Sequence, residues 1–263
     1  MGLLNGKRAL VTGACKGIGR GIALTFAAEG ATVGVNDIIN DHVSRRTTEL
    51  AARHGAPASF HQADVATRAG VTGLMDEFAR DHGCIDILVN NAISPDQDRP
   101  VFEVDEVFWY QVMDLSLKGY FFAAQRAAWH MVDQGTGGRI ASVHSRTPRT
   151  STGPSTATAK ARLRRLVKSL AVDLAGSGGT ANCIAPGAIS NRLPLAQNDS
   201  DINAVPDAAD DLSTLIDALP SRRGGLPSDI ANAVLYLCGD LGAYVNGETI
   251  LVAGGLVAGD FGG

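Results

Sequence analysis

Cysteine is scarce in this chain of 263 residues. Its four cysteines, Cys15, Cys84, Cys183 and Cys238, are scattered without metal-ligand spacing, so no metal site is expected and reduced, cytoplasmic thiols are the default reading. A basic cluster is also missing. The formal net charge is −4 and the pI about 5.8, which speaks against nucleic acid or an anionic membrane as a partner. Arg162, Arg164, Arg165 and Lys168 are spaced along one expected helix, as a solvated or subunit-contact face would be. No apolar run reaches the roughly 18 residues of a membrane span. MGLLNGKRALVTG enters a strand directly, so no signal peptide is expected before it. There is no Pro/Gly/Ser linker, internal repeat or low-complexity tract. What is present is a 45% hydrophobic chain rich in glycine, with 31 of them, suited to many tight βα turns. A chain of this length buries roughly three quarters of its unfolded surface and needs neither disulfide nor metal to fold.

Short apolar runs alternate with helical stretches. The runs are Arg8–Val11, Thr32–Val35, Ala58–Gln62, Ile85–Asn90, Arg139–Val143, Thr180–Ile184 and Thr249–Val252. The first helix is expected from Gly17, with Ile18, Ile22 and Phe26 at four-residue intervals and Gly30 placed to cap its end. Strands alternating with helices imply right-handed βαβ units. The expected architecture is α/β: a Rossmann-like, doubly wound, seven-stranded parallel sheet with helices on both faces, in one domain spanning 1–263. Residues 191–220 break the rhythm with a polar, acidic stretch (NDSDINAVPDAADD) and a short helical run, Leu212–Leu219. An irregular insert of that length is read as a substrate lid.

Thr12-Gly13-Ala14-Cys15-Lys16-Gly17-Ile18-Gly19 follows the first strand and opens the first helix. Gly13 permits the sharp turn, Gly17 admits a pyrophosphate close to backbone, and Gly19 lets the helix pack closely. The phosphates of a dinucleotide then meet the positive end of the helix and its unpaired N–H groups. The contacts expected here are Gly13, Cys15, Lys16, Gly17, Ile18 and Gly19. Asp37 ends the second strand, where a carboxylate can accept from both adenosine ribose hydroxyls and repel a 2′-phosphate. It favours NAD over NADP. Lys16 pulls the other way, and Asp37 could instead cap the next helix.

These residues resemble the short-chain dehydrogenase/reductase family. Thr12–Gly19 matches its TGxxxGxG pattern. Asp64-Val65 looks like its adenine-contacting pair, and Asn90-Asn91-Ala92 is similar to its NNAG motif, with Ile93 in place of the last glycine. Pro186-Gly187 resembles the PG motif whose following backbone, at Ile189, meets the nicotinamide carboxamide. Arg223-x-Gly225-x-Pro227 and Val252-Ala253-Gly254-Gly255 look like the family's C-terminal pattern. The resemblance therefore implies cofactor contacts at Asp64, Val65, Asn91, Ala92, Pro186, Gly187 and Ile189, a small-molecule substrate, and a homotetramer.

The resemblance also implies an Asn-Ser-Tyr-Lys tetrad, and here the chain departs from it. Ser145 overlies the catalytic Ser and Lys160 the Lys that binds the nicotinamide ribose. Thr156 stands at the Tyr position and Ser116 at the Asn position. The phenol matters because a tuned general acid contributes roughly 10²- to 10⁴-fold in rate. His144 is a conceivable substitute acid, but adjacent strand residues face opposite ways, so a buried, satisfied histidine is the alternative. Ser145 as a plain strand-end residue and Lys160 as a solvated lysine also stay open. Tyr110 and Tyr120 belong to the preceding helix and do not align with position 156. The expected pocket lining is Ile93, Ser145, Thr147, Thr156 and the segment around Leu193–Leu195, mostly apolar with a few hydroxyls. Three functions fit: an NAD(P)-dependent oxidoreductase on an alcohol or ketone of modest polarity, a non-redox enzyme performing elimination, isomerisation or cyclisation, or a non-catalytic cofactor-binding subunit.

Overall fold

The computed structural model describes residues 2–93, 99–144, 153–189 and 219–256. Ser145, Thr147 and nearly all of the expected lid, including the run from Leu212, lie outside the described residues. Seven strands form one wholly parallel sheet: β1 (Arg8–Val11), β2 (Thr32–Asp37), β3 (Ala58–Gln62), β4 (Ile87–Asn90), β5 (Arg139–Val143), β6 (Thr180–Pro186) and β7 (Thr249–Val252). Their order is β3-β2-β1-β4-β5-β6-β7. Strands consecutive in the chain are joined by α1 (Gly17–Ala28), α2 (His42–Ala52), α3 (Arg68–His82), α4 (Glu106–Met113), α5 (Tyr120–Asp133), α6 (Pro154–Ala175) and α7 (Pro227–Cys238).

The strands carry near-continuous apolar runs because helices cover both faces of the sheet. Successive residues go to opposite sides. Leu10 and Leu88 pack with Leu74, Phe78 and Met131 on one face, while Val11 and Val89 pack with Ile22, Phe26 and Ile230 on the other. α1 lies close against α7, since a Cβ on Gly21 would meet Pro227.

The limits of β4 and β6 differ from expectation, while β2 passes the apolar run Thr32–Val35 and ends at Asp37, as expected. β2 runs on to Asp37 and β6 to Pro186, because their partners β3 and β7 continue the ladder to Gln62 and Val252. β4 begins at Ile87, since the Asp86 carboxylate is turned onto the Arg8 guanidinium and backbone N–H. Tyr110 and Tyr120 sit in separate helices, α4 and α5, parted by a π-helical turn over Asp114–Gly119. Gly30, at φ +86°, immediately follows the α1 C-cap residue Glu29.

Candidate functional site: the sheet's switch point

Chain order reverses between β1 and β4, so the loops leaving their carboxyl ends diverge and open a crevice. Both loops are tied to Thr12. Its hydroxyl accepts the backbone N–H groups of Asn91 at 2.9 Å and Ala92 at 3.1 Å. From Thr12 the chain turns through Gly13 (φ +61°) and Gly17 (φ +56°), left-handed backbone that a side chain would strain. A Cβ on Gly19 would collide with the Gly13 carbonyl and the Asn91 amide, so the tightness at Gly19 lies between helix start and strand ends.

What this loop presents is the start of α1. The Asp41, Thr67 and Asp105 side chains cap α2, α3 and α4. The first turn of α1 has no side-chain cap and no acidic residue. Its free N–H groups and the positive end of the helix suit a diphosphate.

At the end of β2, the Asp37 carboxylate accepts from the Ile38 N–H at 2.8 Å and the Cys15 N–H at 3.4 Å. It does not cap α2, whose cap is Asp41. The carboxylate therefore lies against the glycine loop, where a ribose bound beside the diphosphate would come. Burial, reinforced by the Asp37 charge, pushes the Cys15 thiol well above its ordinary range. The thiol is neutral there, and Cys15 serves the loop through its backbone. Lys16 is exposed. Asp64 accepts from the Ala66 N–H at 2.9 Å, and Val65 is buried.

The other end of the crevice is built by β5, β6, α6 and the π turn. Ser116 is buried within that turn, and its hydroxyl has no hydrogen-bond partner among the described residues. Such turns recur at functional sites because they redirect side chains without ending a helix. The turn packs on α6, where Thr156 is fully buried and Lys160, one helical turn on, is half-buried. His144 is buried at the end of β5, with its N–H donating to the Ile184 carbonyl at 2.9 Å.

Pro186 closes β6 opposite Val252, and the Gly187 N–H donates to Val252. Ile189 bridges Gly225 and lines a cavity with Leu219, Ser221, Arg223, Asp229 and Val252. Ile93 is more than half exposed. The sequence reading missed one structural member. The buried Tyr120 phenol lies 3.1 Å from the Ala92 carbonyl and 3.2 Å from the Val143 carbonyl, joining the ends of β4 and β5. Its place one helical turn after Ser116 was the available signal.

Among the described residues, no helix is long and apolar enough to cross a membrane. Comparison with known proteins covers almost the whole chain. A family profile described as enoyl-(acyl carrier protein) reductase matches residues 13–257. The (2S)-[(R)-hydroxy(phenyl)methyl]succinyl-CoA dehydrogenase subunit BbsD of Thauera aromatica is 34% identical, over 97% of this chain and 98% of its own. The 3-oxoacyl-[acyl-carrier-protein] reductase FabG of Staphylococcus aureus is 35% identical, over 95% and 98%. A short chain dehydrogenase from Burkholderia cenocepacia, solved in complex with NADP, superposes with a TM-score of 0.85 at 29% identity, over 96% and 98% of the two chains. With these relatives and this architecture, the chain belongs to the short-chain dehydrogenase/reductase family, whose members bind NAD(P).

Proposed function

We propose that the chain is a nicotinamide-dependent oxidoreductase acting on an alcohol or ketone of modest polarity, with NAD as its cofactor and an altered proton-transfer site. The observation that carries this reading is the uncapped start of α1 with the Asp37 carboxylate drawn against the same loop. A diphosphate fits the first, and a ribose with a free 2′-hydroxyl fits the second better than a 2′-phosphate.

The backbone of Gly13, Cys15, Lys16, Gly17, Ile18 and Gly19 would hold the diphosphate. Asp64 and Val65 would meet the adenine, Asn91 and Ala92 the adjoining ribose, and Pro186, Gly187 and Ile189 the carboxamide end. When bound, the nicotinamide supplies or accepts the hydride. Lys160 holds the ribose hydroxyls beside it, and Ser145 donates a hydrogen bond to the substrate oxygen. Thr156 cannot act as a phenol does, because an aliphatic hydroxyl is a far weaker acid. The proton on the substrate oxygen is therefore handled by water or by a group on the substrate, with Ser116 as a hydroxyl lining that path. Residues 191–220 form the substrate lid, and the assembly is a homotetramer.

Two named relatives act on acyl thioesters, so the substrate panel includes 3-oxoacyl thioesters beside simple ketones and alcohols. A second reading, the partner subunit of an active homologue, is favoured by the missing phenol, and the Thauera relative is itself named as a subunit.

Titration with NADH, followed by fluorescence or calorimetry, tests the cofactor reading. Saturable binding that Asp37→Ala weakens is expected. No saturable binding at millimolar cofactor would overturn it. Oxidation of bound NADH by a panel member separates the enzyme from the partner-subunit reading.

A further inference from the structure

We infer that His61, Glu77 and Asp81 form a binding site for a divalent transition metal of the zinc class, away from the cofactor crevice, where it would clamp the edge strand β3 to α3. In β3, Ser59 and His61 point to the same face, and that face is covered by α3. Glu77 and Asp81 stand one helical turn apart on α3 and meet it. One ligand atom from each of the three residues falls within 4.8 Å of the others. Tetrahedral zinc, with nitrogen and oxygen ligands at about 2.0–2.2 Å, needs ligand separations of roughly 3.5 Å. Nδ1 of His61 and Oε1 of Glu77 are already 3.1 Å apart. Both carboxylate side chains are close to half exposed, so their rotamers can close the remaining gap. One Asp81 oxygen engages Arg80 at 3.1 Å. An imidazole with two carboxylates is a donor set suited to zinc, with a fourth position for water.

The surroundings of His61 set this cluster apart from a chance grouping of surface acids. The ring is buried and held edge-on by Phe78, with centroids 5.6 Å apart. Its Nε2 lies 2.7 Å from the Ser59 hydroxyl, which lies 2.9 Å from Nε2 of His82. A ligating histidine is oriented by the hydrogen bond its other nitrogen makes, and this pair of groups provides one that can reverse. Without metal, the Glu77 carboxylate can only accept, so Nδ1 of His61 donates to it. The bare Nε2 of His61 then accepts from Ser59, and Ser59 accepts from His82. With a metal on Nδ1, the His61 proton moves to Nε2 and points at Ser59, Ser59 donates to His82, and His82 carries its proton on Nδ1.

Calorimetric titration of the full chain with Zn²⁺ is expected to give one saturable equivalent. Glu77→Gln and Asp81→Asn, at accessible positions, should each weaken it about tenfold or more. With Co²⁺ in place of Zn²⁺, proton NMR should show one strongly shifted, exchangeable imidazole N–H, from Nε2 of His61. Absence of saturable binding, binding that both variants leave unchanged, or a Co²⁺ form without that resonance each overturns the proposal.

Discussion

Asn91 spans the switch point to Thr12: its buried side-chain amide donates to the Thr12 carbonyl at 3.0 Å and to the Gly13 carbonyl at 3.1 Å. Together with the Thr12 hydroxyl, which accepts from the loop after β4, this makes a reciprocal clasp between the two loops that bound the crevice.

Asn91→Ala therefore strips donors from two carbonyls beneath the glycine loop. A loss of about 1–3 kcal/mol in unfolding free energy is expected, the cost of polar groups left unpaired. NADH affinity should fall in the same variant, because the loop geometry that exposes the α1 N–H groups depends on the clasp. Denaturant unfolding and NADH titration of one preparation check both. Unchanged values in both would show that the clasp carries no strain or order into the site.

Tyr120→Phe removes the phenol between β4 and β5. Burial drives the ionisation of Tyr120 far above its ordinary range, so the phenol stays a neutral donor to backbone. The variant should lose about 1–3 kcal/mol of stability, while the pH profile of turnover keeps its shape. A shifted profile would reassign the proton donor to Tyr120.

Thr156→Tyr restores the family's phenol at a price in packing. Thr156 has no exposed surface, and a larger side chain in such a position costs about 1–3 kcal/mol. A lower melting temperature with higher turnover of ketones or 3-oxoacyl thioesters is expected of the folded variant. No gain across the panel would count against Thr156 as the replaced position.

Asp229 and Arg223 form a two-pronged ion pair at 2.7 and 2.9 Å, and Asp229 also accepts the Leu226 N–H at the start of α7. The Arg223 hydrogen bonds hold the Asp229 carboxyl below its ordinary value of 3.8. A folded-state value below the unfolded one means that the pair stabilises the fold above that range and ceases to do so as pH falls through the folded-state value. Arg223→Ala should thus be less stable than the parent near neutrality, with the deficit vanishing in acid. Unfolding midpoints measured from neutral pH down into the carboxylate range check the sign. A deficit constant in pH would leave only side-chain packing as its cause.

Four of the seven strands could be placed residue for residue, because a parallel sheet covered on both faces is written as continuous apolar runs such as Arg8–Val11 and Thr249–Val252. The glycine loop and Asp37 were equally visible, since backbone that must turn left-handed or approach a ligand leaves few residue choices. The extra length of β6 was invisible, because a strand ends where its partner's hydrogen bonds end. The π turn holding Ser116 was also hidden, being a local widening of the helix rather than a pattern of side-chain types.

By itself the sequence determined the layered fold, the glycine loop that opens α1 and the threonine, rather than tyrosine, four residues before Lys160, all of which follow from local spacing and residue type. Only the tertiary structure decided that Tyr120 ties two strand ends, that Asn91 clasps the loop after β1, and that Ser59, His61, Glu77 and His82 form one chain of hydrogen bonds. Apart from Ser59 and His61, two positions apart on one strand, those partners are separated by 16 to 79 positions. No local pattern specifies such contacts, and the pairing of strands in space creates them.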